Sequence, residues 1–339
     1  MLSAVFAIAT WFAAVVAFPT CKNDDGKAVD SWFMLKAPKG TESLYYDATT
    51  NGFVTPSHDL NSTTKGALAS TLQQLWSEQT TDYLVFNDEP AGSTFVNFTV
   101  GHTKGVWAWN AAQDSAIILQ HSVPLFPLGP HQTTKYKGLG GNAWMYGQHL
   151  ACFTLSVADL AILAEQTVLT VPDIYESRIS ASAPAALQAL IAGAVSTDPV
   201  CTNTSVKTTG GLDLTYYTKS TQWNNELYAA CIAPNEQTPL LVESWIRGSA
   251  EGPSCGADPV LDVRNVSYPA GIAFSEYNDH SKWAVSSTSD FVCASDINRM
   301  TTQYKRGGSA ICFHDATLAT SLRSAAIVTD SCSEFRPPV

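Results

Sequence analysis

Charge is scarce in this chain. Only 14% of its 339 residues are Asp, Glu, Lys or Arg, and 19 basic residues face 30 acidic ones, for a formal net charge of −11. That balance argues against a nucleic-acid binder at neutral pH, because affinity for phosphates comes largely from Lys and Arg. Acid changes the sum: protonating all seven His would bring the charge to about −4, and some carboxylates would neutralise near pH 5. Other absences narrow the class further. There is no C-x-x-C, so zinc knuckles and dithiol redox sites have no support. There is no H-E-x-x-H and no dense Asp/Glu cluster of the kind that holds paired Mg²⁺. Gly138 to Gly141 lacks the phosphate-loop spacing. After the N-terminus no apolar run is long enough to span a bilayer.

What is present begins with Met1 to Val16, nearly all apolar or small, followed by Val15-Val16-Ala17 as a small-residue cleavage site. This reads as a signal peptide cut after Ala17, although no Lys or Arg precedes the apolar run. A retained anchor is the other reading, for which the run is short. Eight cysteines (Cys21, Cys152, Cys201, Cys231, Cys255, Cys293, Cys312 and Cys332) are an even, scattered set that argues for four disulfides in an oxidising compartment. Four N-x-S/T sequons, at Asn61, Asn97, Asn203 and Asn265, are glycan sites wherever they reach the surface. At 45% hydrophobic residues the chain can bury one large or two ordinary cores.

The sequence is organised around His102-Thr103-Lys104, repeated in kind as His280-Ser281-Lys282. Each triplet precedes an apolar run, a polar break and a second apolar run. The first series is Gly105 to Trp109, then Asn110 to Asp114, then Ala116 to Leu119, ending at His121-Ser122. The second is Trp283 to Val285, then Ser286 to Asp290, then Phe291 to Cys293, ending at Asp296-Ile297-Asn298. Both read as strand, turn, strand, and positions i and i+2 of a strand share a face, so each triplet would present an imidazole beside an ammonium. Asn87-Asp88 precedes the first triplet and Asn278-Asp279 the second.

Elsewhere the pattern predicts strands over Val29–Leu35, Ser43–Asp47, Tyr83–Phe86 and Thr94–Val100. Helices are expected over Asn61–Asp82, Ser156–Leu169, Ala181–Val195, Ile297–Lys305 and Asp315–Ala326, with Thr202–Gly211 as a loop. Alternating strands and helices place the chain in the α/β or α+β class with mixed sheets. The echoing halves suggest a pseudo-dimer: a signal peptide at 1–17, an N-terminal half at 18–175 and a C-terminal half at 176–339.

If the triplets converge, two imidazoles and two ammonium groups surround one anion. A phosphodiester needs a nucleophile, a general acid for the leaving oxygen, and positive charge on the remaining oxygens. This set supplies all three and calls for no metal or other cofactor. Asn298, at the start of an expected helix, could add a donor where backbone N–H groups favour anions. Taken singly, a His-Lys pair is more often solvated surface, and His131, His149 and His314 read as ordinary residues. Arg306-Gly307-Gly308 reads as a helix stop.

Several blocks taken in order, with Asn87-Asp88, His102-Thr103-Lys104-Gly105-Val106, His121-Ser122-Val123-Pro124, Phe126-Pro127, Tyr146-Gly147-Gln148, His280-Ser281-Lys282-Trp283, Asp296-Ile297-Asn298-Arg299, Gln303 and Arg306-Gly307-Gly308, resemble the deoxyribonuclease II family across essentially the whole mature chain. The resemblance implies a phospholipase D-like fold of two similar halves sharing one site. It implies metal-independent endonucleolysis of DNA at acid pH, leaving 3′-phosphate and 5′-hydroxyl ends, in a secreted or lysosomal protein with no membrane anchor after signal cleavage. Oligomeric state is left open. By position it implies His102 and Lys104 with His280 and Lys282 as the paired motifs, His121 as a further site histidine, and Asp296 and Asn298 as lining residues. His280 stands as general acid and His102 as nucleophile, an assignment that could be swapped. For disulfides it implies Cys21–Cys152, Cys293–Cys312 and Cys255–Cys332, leaving Cys201 and Cys231 as an extra pair. The chain departs from the family in having Trp107-Ala108-Trp109-Asn110 where an Asp usually follows the first triplet, and Ser309 for a third Gly after Arg306. Two other readings fit: a catalytically impaired secreted relative kept as a binding or host-interaction protein, and a phosphodiesterase of the same fold acting on another substrate.

Overall fold

The computed structural model describes residues 18–77, 82–94 and 96–333, so the expected signal peptide and its cleavage point lie outside the described residues. Two sheets carry the chain. The first has seven strands in the order Ser43–Tyr46, Ser31–Lys36, Gln148–Leu155, Ser115–His121, Lys104–Asn110, Asp82–Asn87 and Ile174–Arg178. Every neighbouring pair in it is antiparallel. The second runs Cys201–Lys207, Asp213–Lys219, Gly308–His314, Phe291–Ser295, Trp283–Ser286, Leu240–Glu243, Val260–Ser267 and Ala273–Ser275, with Ala326–Thr329 also pairing Val260–Ser267. One pair in this sheet, Leu240–Glu243 with Val260–Ser267, is parallel. The class is therefore α+β, with the mixed pairing confined to the second sheet. The chain leaves the first sheet after Arg178.

The apolar runs beside the triplets are strands because both faces of the first sheet are covered. Trp107 and Trp109, two residues apart, share a face with Phe86 and Ile118 and pack into a core that includes Val292 and Phe313 of the second sheet. Val106 and Ala108 face the other way, onto Leu68 and Leu72 of the helix Ala67–Leu72. Phe153 meets Phe313 edge-on at 5.4 Å across the two sheets. A strand covered on both faces reads as a continuous apolar run, not an alternating one. The tryptophans that replace the family's usual carboxylate are thus core residues.

Helices Val157–Thr167 and Ala316–Ala325 form as expected, capped by Ser156 and Asp315 accepting backbone N–H bonds. Five other expectations need correction. Thr202–Gly211 is not a loop: Cys201–Lys207 pairs residue for residue with Asp213–Lys219, and its polar sequence reflects a half-exposed sheet edge. Ile297–Lys305 is not a helix, and only Thr301–Gln303 makes a 3₁₀ turn. The groups that would close its first turn have other partners: Ile297 O accepts from the Tyr228 hydroxyl at 2.8 Å, and the Thr301 N–H donates to Ser249 O at 3.1 Å. The helix expected from Asn61 begins only after Gly66, which sits at φ 86°. Ser62 instead closes a turn by accepting from the Lys65 N–H at 3.0 Å; residues 78–81 lie outside the described residues. Residues 96–100 form turns in place of the expected strand, with the Asn97 side chain accepting from the Thr99 N–H at 3.1 Å. The expected Ala-rich helix is shorter than its pattern, Ala185–Ile191.

Four disulfides close, Cys21–Cys152, Cys201–Cys231, Cys255–Cys332 and Cys293–Cys312, the pairing expected above. Among the sequons, Asn203 is exposed on the edge strand, whereas Asn61, Asn97 and Asn265 are partly buried. Among the described residues no helix is long and apolar enough to cross a membrane.

Candidate active site

Both triplets lie at the mouths of strands, not within them. His102 and Thr103 precede the strand that opens at Lys104, and His280 to Lys282 precede the strand that opens at Trp283. Each histidine is tied to the opposite half of the chain by its own backbone. The His102 N–H donates to Gly307 O at 2.8 Å, and the His280 N–H donates to Gly147 O at 2.9 Å. These bonds explain two glycines. A Cβ on Gly307 would lie 2.2 Å from the Thr170 carbonyl oxygen, and one on Gly147 would lie 2.4 Å from Asp279 Oδ1. Gly307 therefore serves close backbone approach in the site, which corrects its reading as a helix stop.

Asp88 organises the first triplet. It is fully buried, accepts from Lys104 through Oδ1, and accepts from Arg306 Nη2 through Oδ2 at 2.8 Å. His102 Nε2 stands 3.9 Å from the same carboxylate. Breaking such a buried pair by removing one partner costs on the order of 3–5 kcal/mol, because the other charge is left uncompensated. The second triplet has its own carboxylate, since Asp279 Oδ1 accepts from the Ser281 N–H at 2.9 Å. Lys282 donates its ammonium to His280 O at 2.7 Å and its backbone N–H to His149 Nδ1 at 3.0 Å. His149 is thus a positioning residue for the second triplet, which its sequence context did not suggest. Its stacking on Phe33 at 6.1 Å keeps the ring buried.

Electrostatics join the two triplets. Burial pushes the His102 imidazole well below its ordinary proton affinity, and Lys104, Lys282, Arg306 and His280 push in the same direction. Burial, then Lys282 and Lys104, bring His280 down to about 2. His121 falls to about 3 for the same leading reason, with Lys104 next. Its Nδ1 accepts from the Val123 N–H at 3.2 Å, and its buried Nε2 has no partner among the described residues. Lys282 falls to about 7 through burial and then Lys104. The site is a cluster of cations that disfavours a further positive charge on the imidazoles.

Asp296 shares a narrow cavity with Lys104, Gln120 and Ser309. Its Oδ1 accepts from the Ser309 N–H at 2.6 Å and its Oδ2 at 2.5 Å from the Ser309 hydroxyl. Ser309 thus supplies two hydrogen bonds to the carboxyl. Asn298 is buried beside Lys219 and Gln303, and no helix begins there to supply the backbone donors expected of it. Among the described residues no three His, Cys, Asp or Glu side chains gather as a metal-binding set. Asp88 and Asp279 carried a sequence signal, an Asn-Asp before each triplet, and Arg306 and Tyr146 stood in blocks that carry the resemblance; His149 and Trp245 had no such signal.

Burial raises the Asp296 carboxyl to about 7, against the pull of Ser309 and the lysines. A raised folded-state pKa contributes stability that is fully present below the unfolded value near 3.9 and lost as pH rises through about 7. Asp296→Asn, a neutral isostere, is expected to leave the urea midpoint little changed near pH 4.5 and to stabilise by about 2–4 kcal/mol near pH 8. A loss of stability near pH 8 would show that the ionised carboxylate is the favoured form.

The sequence model described as Deoxyribonuclease II matches residues 20–332. The Deoxyribonuclease-2-beta of Rattus norvegicus is 32% identical over 86% of this chain and 87% of its own length. The Deoxyribonuclease-2 of Caenorhabditis elegans is 32% identical over 88% and 90%. The human Deoxyribonuclease-2-beta is 30% identical over 92% and 91%. Matched from end to end of its described core, with both triplets brought to one buried cationic cluster, this chain belongs to the deoxyribonuclease II family.

Proposed function

We propose that this chain is an endonuclease that hydrolyses DNA phosphodiesters at acid pH without a metal, leaving 3′-phosphate and 5′-hydroxyl ends. One observation carries the reading: two His-X-Lys triplets are pinned by reciprocal backbone bonds between the halves, and each lowers the proton affinity of the other's imidazole. Two similar halves sharing one site, as in a phospholipase D-like pseudo-dimer, is the architecture that this arrangement supports.

His102 attacks phosphorus through an unprotonated ring nitrogen. The P–N bond forms as the P–O5′ bond breaks, and His280 delivers the proton to the departing oxygen. Water then attacks the phosphohistidine with His280 accepting its proton, which breaks the P–N bond and leaves the 3′-phosphate. Lys104 and Lys282, fixed by Asp88 and by His280 O, stabilise the non-bridging oxygens as charge builds. His121 lines the same cationic cluster with its Nε2 unpaired.

Burial and the neighbouring cations hold the imidazoles toward their neutral form, which suits a nucleophile and not an acid. A bound phosphodiester supplies the missing negative charge, so His280 takes up its proton with the substrate. Acid also helps from the other side. Burial raises Asp296, Asp279 and Glu243, so acidification removes opposing negative charge before it reaches ordinary carboxylates. Four disulfides support a secreted or lysosomal location, and the exposed Asn203 is the first candidate for a glycan.

The test is supercoiled plasmid incubated near pH 5 with EDTA. Nicking that persists with the chelator, with 5′-hydroxyl ends, is expected. Nicking that depends on added divalent metal would sink the mechanism, and binding without nicking at any pH would favour a catalytically impaired relative. Faster turnover of a lipid or RNA phosphodiester would favour another substrate.

A further inference from the structure

Beside His280 lies an aromatic and cationic stack that the bond-breaking steps do not use. Tyr146 packs on the His280 ring at 4.3 Å and 13°, and Trp245 meets it at 4.1 Å. The Arg247 guanidinium covers both, 5.3 Å from the Tyr146 ring and 5.3 Å from that of Trp245, and lies 4.2 Å from the ring of Tyr277. Arg247 Nη2 also donates to Tyr277 O at 2.6 Å. The series therefore runs from the reacting imidazole to solvent, where the Tyr277 side chain is 57% exposed.

Two further observations mark this as a place for a ligand. Trp245 Nε1 and Arg247 Nε are buried N–H groups with no partner among the described residues. Buried donors are nearly always satisfied, so two of them beside one reactive histidine point to acceptors that arrive from outside. Tyr277 spends a large aromatic ring on solvent while held against a cation. A planar, electron-rich ring with hydrogen-bond acceptors and an attached anion satisfies all of these groups together, and that is a nucleobase with its phosphate.

We propose that Tyr277 and Arg247 form a subsite that stacks the base of the nucleotide next to the scissile phosphate, and that this base is unpaired when bound. A base inside a duplex offers no free face to Tyr277, so cleavage proceeds from a locally opened strand. This rests on the nuclease reading above, with Tyr277 as a binding residue for that reaction.

The test uses a short single-stranded deoxyoligonucleotide carrying one 2-aminopurine, mixed with the full chain near pH 5 and read by stopped flow so that binding precedes turnover. Stacking is expected to quench the probe. Tyr277→Ala should weaken binding about ten-fold, while Tyr277→Phe keeps the ring and should bind as the parent does. With an abasic residue in place of the probed nucleotide, parent and Tyr277→Ala should bind alike. In nicking assays Tyr277→Ala should raise KM and leave kcat nearly unchanged. No quenching, or equal binding by parent and Tyr277→Ala, overturns the subsite whatever the nicking assay returns. Quenching without any nicking would instead overturn the hydrolytic reading and leave the subsite standing.

Discussion

Replacing His280 with alanine is expected to lower kcat on plasmid DNA by about 10²–10⁴-fold, the usual contribution of a positioned general acid. The O5′ alkoxide is a poor leaving group, and only a proton delivered as the P–O bond breaks makes it a good one. His280 is placed for this by its backbone bond to Gly147 O at 2.9 Å and by the packed rings of Tyr146 and Trp245. A substrate with a bridging 5′-sulfur at the cleaved linkage separates roles, because a thiolate leaves without help. His280→Ala should recover most of its rate on that substrate, and His102→Ala should not. Recovery by His102→Ala instead would exchange the two assignments, and recovery by neither would remove the general-acid role. Urea midpoints of the variants must match the parent, since the alanine leaves a gap beside two aromatic rings.

Lys104→Ala is expected to reduce kcat/KM by about 10²–10³-fold, the range for removing one preorganised donor from a developing oxyanion. Lys104 is 3% exposed, so its charge acts across a site from which water is largely excluded. Asp88 holds the ammonium in place and is itself held by Arg306, which means the cation does not have to be ordered during the reaction. Lys104→Arg should not rescue activity: the planar guanidinium cannot occupy the compact, buried position that the ammonium takes against Asp88. An unchanged kcat/KM in Lys104→Ala would refute the role. A drop matched by an equal loss of folded protein would assign Lys104 to stability alone.

The altered segment after the first triplet shows how far a linear pattern carries. By resemblance, Trp107-Ala108-Trp109-Asn110 lacks the carboxylate expected there. In three dimensions these residues are core, and Asn110 caps the turn between the two strands by accepting from the Ala112 and Gln113 N–H groups at 3.0 and 3.2 Å. A carboxylate stands beside Lys104 all the same, from Asp88 just past the end of the neighbouring strand Asp82–Asn87. Asn298 shows the converse. The helix expected around it does not form, because Ile297 O accepts from the Tyr228 hydroxyl at 2.8 Å and the Thr301 N–H turns to Ser249 O at 3.1 Å, partners that lie far off in the sequence.

The sequence by itself determined what depends on near neighbours. The strand-turn-strand units after each triplet follow from apolar runs and polar breaks. The capped helices at Ser156 and Asp315 follow from local side-chain hydrogen bonds. The even cysteine count, the acidic balance and the two His-X-Lys triplets are likewise local or compositional. Only the tertiary structure decided which groups meet. Arg306 reaches Asp88 across 218 residues, Lys282 reaches His149 across 133, and the bonds from His102 to Gly307 and from His280 to Gly147 cross between the halves. Such partners leave no periodic trace, because a contact closed by a folded loop depends on the path of the whole chain. The two triplets were visible as words; their shared charge, their supporting carboxylates and the aromatic approach to His280 exist only where the two sheets come together.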